Sequence, residues 1–570
     1  MTEKVCPAGP RRHLEYPEET MYGMLRRIAE QYPSAPAYEF YGNRTSYRRF
    51  LEKINRTARA FYAAGIRKGD RVTICLPNIP QGIDCFYALS RIGAVANMIH
   101  PLSAYSEIIF YLNISESKYI LTADMFYETV LAACEAADHE VQILVTRMQD
   151  ELNPLLAAAY TARKGKDYLK YPLKGKGTLW KQFLKRGDHG PEAPEACYEK
   201  ERTAVILYSG GTTGTPKGIC LSDMNFNALA IQVREAIQEE FRPGLTILSC
   251  MPIFHGFGLG INIHTAIIHG VCCILMPVFD KKSYASMLIK KRPNFIAGVP
   301  TIFEALMHLP ELDGKSLEFL LGMFCGGDSL SAELKKKIDT FLAEHGAAIQ
   351  VREGYGLTEC VTASCLTPRD THRENSIGLP FPDTDYCILK QGTDEEVPRG
   401  TEGEIALTGP TVMLGYLNEP DETANVLRLM PDGRIWLLTG DLGKMDEEGY
   451  VYFHQRIKRV IITNGYNVYP GQIENVIDSC PDVSCSCVIG VKDPRRMQRV
   501  RAYVVLRDGV RKTEDTVREE IMNALRRHVA QYALPREIFF RDKLPRTLVG
   551  KVAYRILEEE ANSTEETGET

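Results

Sequence analysis

Tyr208-Ser-Gly-Gly-Thr-Thr-Gly-Thr-Pro-Lys217-Gly218 follows the short apolar run Ala204–Leu207. Three glycines and four hydroxyl residues precede the lysine. A loop of that make-up is rich in backbone N–H and side-chain O–H donors and can wrap a polyphosphate, to which Lys217 adds a point charge. It is not a Walker A loop, because Pro216 precedes the lysine and Gly218 follows it. A Gly/Thr-rich segment alone could be a plain turn, and only the complete string argues for a phosphate cradle. An apolar strand running into such a loop belongs to an α/β fold.

The flanks agree. Short apolar runs recur at Val72–Leu76, Ile120–Leu121, Val141–Val145, Ile247–Met251, Cys272–Met276 and Phe295–Val299. Helical spacings lie between several of them, such as Phe50, Ile54, Ala58 and Phe61, or Leu334, Ile338, Phe341 and Leu342. Strands alternating with helices predict parallel sheets covered on both faces. From about residue 380 the runs shorten and Gly and Asp turns multiply, which predicts a small antiparallel subdomain. The expected division is a large N-terminal domain over 1–456 and a small mobile α+β domain over 457–560, with a disordered polar tail over 561–570.

Composition removes other classes. The 570 residues are 44% hydrophobic and 25% charged, as in globular proteins, and too apolar for a disordered chain. With 68 basic against 73 acidic residues the net charge is −5, which argues against a nucleic-acid binder. Sixteen cysteines, many in apolar runs, read as buried thiols of a reduced, cytoplasmic protein. The N-terminal sequence has no apolar stretch of signal-peptide length. Residues 244–279 carry no Asp, Glu, Lys or Arg, but Pro252, Pro277 and five glycines make a buried strand–helix–strand unit the expectation, not a membrane span. Residues 163–186 hold nine Lys or Arg against Asp167, interleaved with Tyr168, Tyr171, Trp180 and Phe183. This is a solvated insertion, or a weak peripheral contact with anionic lipid or with an acidic ligand.

Further motifs follow the phosphate loop in a fixed order. They are Phe254-His-Gly-Phe-Gly258, Gly354-Tyr-Gly-Leu-Thr-Glu359, Gly403–Gly409 with Gly415-Tyr416, Thr439-Gly-Asp441, Arg456-Ile-Lys458, Gly465-Tyr-Asn-Val468, and Pro545-Arg-Thr547 with Gly550-Lys551. Each is weak alone. Together, over nearly the whole chain, they resemble the adenylate-forming enzymes, the superfamily of acyl-CoA synthetases, peptide-synthetase adenylation domains and luciferase. The resemblance is strongest to fatty acyl-CoA synthetases.

That resemblance implies ATP, Mg²⁺ and coenzyme A as cofactors and a carboxylic acid as substrate. ATP and AMP would be held by Ser209, Gly210, Gly211, Thr212, Thr213, Gly214, Lys217, Gly327, Gly354, Tyr355, Gly356, Thr358, Asp441, Arg456 and Lys551. Tyr355 would stack on adenine beside Gly327, and Asp441 would accept from the ribose hydroxyls. Glu359 and Thr213 would ligate magnesium. Lys551, with Thr358, Glu359 and His255, would serve the chemistry, because joining two anions needs positive charge and donors at the reacting phosphate. His255, Gly258, Val299 and Gly326 would line the acyl pocket. Lys458 and Gly465 would belong to the hinge and the CoA step. Glu353 departs from the Asn or Gln expected near the adenine amino group, and Asp328 from the usual Ala or Glu.

The implied reaction is ATP-dependent formation of acyl-AMP, with release of pyrophosphate, followed by transfer to the CoA thiol. No acidic residue stands in Phe254–Ile261 to hold a substrate ammonium, which would be costly to bury unpaired. An amino acid is therefore disfavoured, and a medium- or long-chain fatty acid is expected. Glycines 256, 258, 260, 326 and 327 are read as leaving room for it. The alternatives are an aryl or cyclic acid, or a carrier protein as the acceptor.

Overall fold

The computed structural model describes residues 13–164, 177–209, 216–463, 466–493, 497–547 and 552–566. Gly210, Gly211, Thr212, Thr213, Gly214, Gly465, Lys551 and residues 165–176 of the basic block lie outside them.

The runs read as buried strands assemble into two large sheets. One has eight strands, ordered from Gly415–Tyr416 through Gly218–Ser222, Thr203–Tyr208, Val95–Met98, Arg71–Cys75, Tyr119–Ala123 and Gln142–Thr146 to Thr178–Leu179. The other has nine, running from Leu379–Pro380 through Cys365–Leu366, Val351–Tyr355, Gly322–Cys325, Phe295–Gly298, Thr246–Ser249, Cys272–Leu275 and Pro36–Phe40 to Asn43–Ser46. The central strands of both are parallel. Helices such as Pro80–Ile92, in which every residue is buried, fill the space around them. The fold is the expected α/β arrangement.

Two details depart from simple alternation. The strands before and after the phosphate loop, Thr203–Tyr208 and Gly218–Ser222, pair antiparallel. Within 244–279, the strands Thr246–Ser249 and Cys272–Leu275 are joined through a π-helix, Phe257–Thr265. The charge-free segment is thus a buried strand–helix–strand unit, and among the described residues no helix is long and apolar enough to cross a membrane.

A third, antiparallel sheet joins Asp385–Leu389, Gly403–Thr408, Ile435–Met445 and Leu427–Leu429, with Val451–Arg456 on Ile435–Met445. After the short 3₁₀ turn Ile457–Arg459 comes a fourth sheet, Tyr466–Val468, Ile461–Thr463, Met497–Leu506 and Val483–Asp493, with Glu537–Phe540 on Met497–Leu506. It has its own core around Val488, Val504, Ile473 and Ile521. The tail differs from expectation. Tyr554–Glu566 is a helix, so residues 561–566 are ordered. The cause is the i,i+4 pair Leu557 and Ala561, both buried against Ile489 and Tyr503, together with a bond from the Lys492 N–H to Asn562 Oδ1 at 3.0 Å.

Candidate active site

The site forms where strands of the nine-stranded sheet end. Phe295–Gly298, Gly322–Cys325 and Val351–Tyr355 run parallel, and their carboxyl ends bring Val299, Gly326, Gly327 and Gly354 together. Such ends are where open α/β sheets bind ligands. Gly326 donates to the Gly298 carbonyl at 3.1 Å. Gly327 has φ +80°, open to glycine without strain, and a Cβ there would only touch Val299 Cγ1 at 3.5 Å.

Tyr355 closes the strand. Its hydroxyl donates to Asp441 Oδ2 at 2.6 Å, and its ring lies 6.0 Å from that of Phe453. Asp441 is fully buried. It is aimed inward by the Thr439-Gly-Asp turn: Thr439 Oγ1 accepts from the Asp441 N–H at 3.1 Å and donates to the Ile405 carbonyl at 2.7 Å. Gly440 takes φ +69° and donates to Glu404 Oε1 at 3.1 Å. Asp441 and Arg456 face each other in register across adjacent strands, so Arg456 Nε meets Asp441 Oδ1 at 3.0 Å. Burial works against the Arg456 charge, but Asp441, Tyr355 and Glu359 outweigh it and raise its pKa. Burial, then the Asp441 charge, raises that of Tyr355 well above the ordinary phenol value.

Thr358 and Glu359 sit on the 3₁₀ turn Thr358–Cys360 just beyond Tyr355. Glu359 Oε1 accepts from Tyr416 Oη at 3.0 Å. The Lys217 ammonium lies 4.8 Å from the centre of the Tyr416 ring and pairs with Glu422. The structure therefore brings Gly327, Gly354, Tyr355, Gly356, Thr358, Glu359, Asp441 and Arg456 into one region, with Lys217 tied to it through Tyr416. Ser209 stands at the end of the strand Thr203–Tyr208, its N–H on the Lys217 carbonyl at 3.3 Å.

Val361, next after Cys360, has φ +66° and ψ −59°. With the Thr362 N–H on the Cys360 carbonyl at 2.8 Å it forms a γ-turn, a strained conformation for a β-branched residue. Strain of this kind collects at functional sites. A Cβ on Gly256 would stand 1.7 Å from the Val361 carbonyl oxygen, so the Phe254–Gly258 segment packs backbone to backbone on this turn. The glycines there do not create acyl volume. A Cβ on Gly258 would strike the Pro252 carbonyl at 2.0 Å, and one on Gly260 would meet Leu229 Cδ2 at 2.9 Å. Their small size is spent on close packing, which corrects the expectation that they leave room for a chain. His255 is part of the same fold of backbone, its Nδ1 accepting from the Phe257 N–H at 3.2 Å.

Asn78, His100 and Glu422 escaped the sequence reading. Asn78 holds the acyl segment by donating to the Ser249 and Met251 carbonyls, at 3.1 and 2.9 Å, and accepting from the Ile253 N–H at 2.9 Å. His100 packs against Phe254 with ring centres 4.2 Å apart, and burial lowers its pKa to about 4. Glu422 carries no motif signal. Glu353 Oε1 accepts from the Leu330 N–H at 3.1 Å, and its pKa is pushed up to about 7, chiefly by burial.

The donors suit a magnesium nucleotide. Glu359 offers a hard carboxylate oxygen, Asp441 a buried acceptor pair, and Lys217 and Arg456 fixed positive charge. No cage of three or more His, Cys, Asp or Glu side chains exists among the described residues, so a magnesium ion at Glu359 would draw on phosphate and water oxygens.

A domain described as "AMP-binding enzyme" matches residues 25–417, and "AMP-binding enzyme C-terminal domain" matches 472–551. The chain belongs to the family of AMP-binding enzymes. It is 33% identical to a long-chain-fatty-acid–CoA ligase of Bacillus subtilis (strain 168), over 96% of each chain. It is 30% identical to a feruloyl-CoA synthase of an Amycolatopsis species, over 92% of this chain and 96% of that one. Crystalline ATP-bound MatB from Rhodopseudomonas palustris superposes with a TM-score of 0.81 at 26% identity, covering 95% of this chain and 98% of that one.

Proposed function

We propose that the protein is an acid–CoA ligase that forms a fatty acyl-AMP from ATP, releases pyrophosphate, and passes the acyl group to the CoA thiol. The observation that carries this reading is the convergence of Tyr355, Asp441 and Arg456 with Glu359, Tyr416 and Lys217 at the ends of the sheet strands. Tyr355 presents a face for adenine, and the Asp441 carboxylate accepts from ribose while Arg456 pairs with it. Lys217 and Ser209, with the loop residues Gly210, Gly211, Thr212, Thr213 and Gly214, receive the phosphates. Magnesium at Glu359 and Thr213 would neutralise phosphate charge. Lys551 would supply positive charge at the reacting α-phosphate, with Thr358 and His255 beside it. His255, Val299 and Gly326 border the acid.

Two anchors flank the hinge assigned to Lys458. Arg456 is held by Asp441 on one side, while Arg459 pairs with Glu474 at 2.6 Å and lies 4.9 Å from the Tyr554 ring on the other. Between fixed ends, Ile457 and Lys458 are where rotation would concentrate.

The fatty-acid assignment is supported by the Bacillus subtilis relative, and the aryl-acid reading by the Amycolatopsis one. A panel of C6–C18 fatty acids and simple aryl acids, assayed for pyrophosphate and AMP with and without CoA, separates them. ADP and phosphate as products would overturn the reaction class. Thioester formation with CoA alone excludes an obligatory carrier-protein acceptor.

The helix Pro154–Lys164 exposes Leu155 and Leu156 and leads into the basic segment, which supports a peripheral lipid contact at 163–186. Sedimentation with anionic vesicles tests it. Among the described residues, fifteen cysteines are free thiols, which supports a reduced, cytoplasmic setting.

A further inference from the structure

Residues 413–417 are fastened to both halves of the nucleotide site. The Met413 N–H donates to the Glu359 carbonyl at 2.8 Å. The Leu414 N–H donates to the Cys220 carbonyl at 2.9 Å and the Leu417 N–H to the Gly218 carbonyl at 2.7 Å, so the same residues are laid along the strand that follows Lys217. Within them Tyr416 faces Ile219 across the antiparallel pair. Side chains two apart share a face of a strand, which puts Lys217 diagonally beside Tyr416. The Lys217 ammonium lies 4.8 Å from the centre of the Tyr416 ring and also pairs with Glu422. At the far end of the same ring, Tyr416 Oη donates to Glu359 Oε1 at 3.0 Å. The backbone under the ring is pinned as well, because Thr423 Oγ1 accepts from the Tyr416 N–H at 2.9 Å. Gly415, at φ +148°, lacks the Cβ that would collide with the Thr423 side chain.

We propose that Tyr416 is a positioning residue that holds the phosphate-binding cation and the metal-binding carboxylate at a fixed spacing. Its ring seats Lys217, and its hydroxyl orients Glu359 through Oε1 and leaves Oε2 to magnesium. Lysine is a point charge on a flexible stem, and a rotating carboxylate must be ordered before it can ligate, so each gains from being set in advance. The two charges are also opposite. Paired directly, they would be spent on each other, and the ring stands between them with a different contact for each. A hydrogen bond to a ligating carboxylate is the usual means of fixing it. The inference rests on the ligase reading above and adds how its phosphate and metal groups are kept apart.

The test separates the two ends of the ring. Tyr416→Phe keeps the ring beside Lys217 and removes only the hydroxyl. Its affinity for ATP in EDTA, measured by calorimetry, should stay within about twofold of wild type. The affinity of Mn²⁺ for the protein–ATP complex, read from the electron paramagnetic resonance of the ion, should fall about tenfold. In a Glu359→Gln background Tyr416→Phe should cost no further Mn²⁺ affinity, because the partner of the hydroxyl is already altered. Tyr416→Met still fills the half-buried position but has no ring. It should lose the same Mn²⁺ affinity and also weaken metal-free ATP binding about two- to fivefold, the size of a cation–π contact. Unchanged Mn²⁺ affinity in Tyr416→Phe, or a loss that persists in the Glu359→Gln background, overturns the role of the hydroxyl. Metal-free ATP binding weakened as much by Tyr416→Phe as by Tyr416→Met, or weakened by neither, overturns the role of the ring. A wild type that binds Mn²⁺ and ATP but releases no pyrophosphate with any acid overturns the ligase reading instead.

Discussion

Glu353 is the site carboxylate most at odds with its surroundings, and Glu353→Gln turns that into a measurement. Burial lifts its carboxyl from an ordinary 4.5 to about 7, and the nearby Asp328 charge adds to the effect. A folded-state pKa above the unfolded one means that folding is favoured while the group is protonated, and that this advantage is lost as pH rises from about 4.5 through 7. At about 1.36 kcal/mol per pH unit, the ionised carboxylate costs the fold up to about 3 kcal/mol by pH 8. Glutamine keeps an acceptor for the Leu330 N–H, the bond seen at 3.1 Å, but never ionises. Urea unfolding of the large domain, followed between pH 5 and 8.5, should find wild type and variant within about 0.5 kcal/mol at pH 5. By pH 8 the variant should be more stable by about 2–3 kcal/mol. Equal stability at both ends, or a variant weaker at pH 8, would refute the claim that an ionised carboxylate is disfavoured there.

Other substitutions probe the remaining parts. Gly256→Ala puts a methyl 1.7 Å from the Val361 carbonyl oxygen and should cost about 3 kcal/mol or more, with loss of acid activation, read by unfolding and by pyrophosphate release. Tyr355→Phe removes a 2.6 Å bond to a buried carboxylate, and should cost about 2 kcal/mol and weaken AMP binding in calorimetry. Lys458→Pro should trap one domain arrangement, and thioester formation should fall far more than adenylation in separate half-reaction assays. Lys551→Ala should slow adenylation about 10²–10³-fold or more while sparing the reaction of supplied acyl-adenylate with CoA; equal loss of both steps would rule out that division of labour.

The sheets were legible because their strands are short apolar runs set off by Gly and Pro, as at Val72–Leu76 and Phe295–Val299. The strand after the phosphate loop was harder. Nothing in Gly218–Ser222 says that it pairs antiparallel with Thr203–Tyr208 on one side and with Gly415–Tyr416, two hundred residues away, on the other. The π-helix at Phe257–Thr265 leaves no periodic trace among so many apolar residues. Its two glycines, with Gly256 just before it, suggested space that is in fact filled by Pro252, Leu229 and Val361, because a missing side chain is equally useful to a ligand and to a neighbouring chain. The terminal helix was missed for the opposite reason. Its polar residues outnumber Leu557 and Ala561, and only the partner surface gives those two their weight. Motif order singled out Asp441, Glu359 and Tyr355 because each falls inside a dense string, whereas Asn78 and Glu422 act from positions that carry no string at all.

The contact between Gly256 and the Val361 turn joins the His255 segment and the turn that carries Glu359 into one packed piece of backbone. Val361 lies two residues after Glu359, and its backbone has no slack, since the γ-turn is already bent to an unfavourable angle. A side chain at 256 would therefore push on the Val361 turn, and through it on the 3₁₀ turn that carries Glu359.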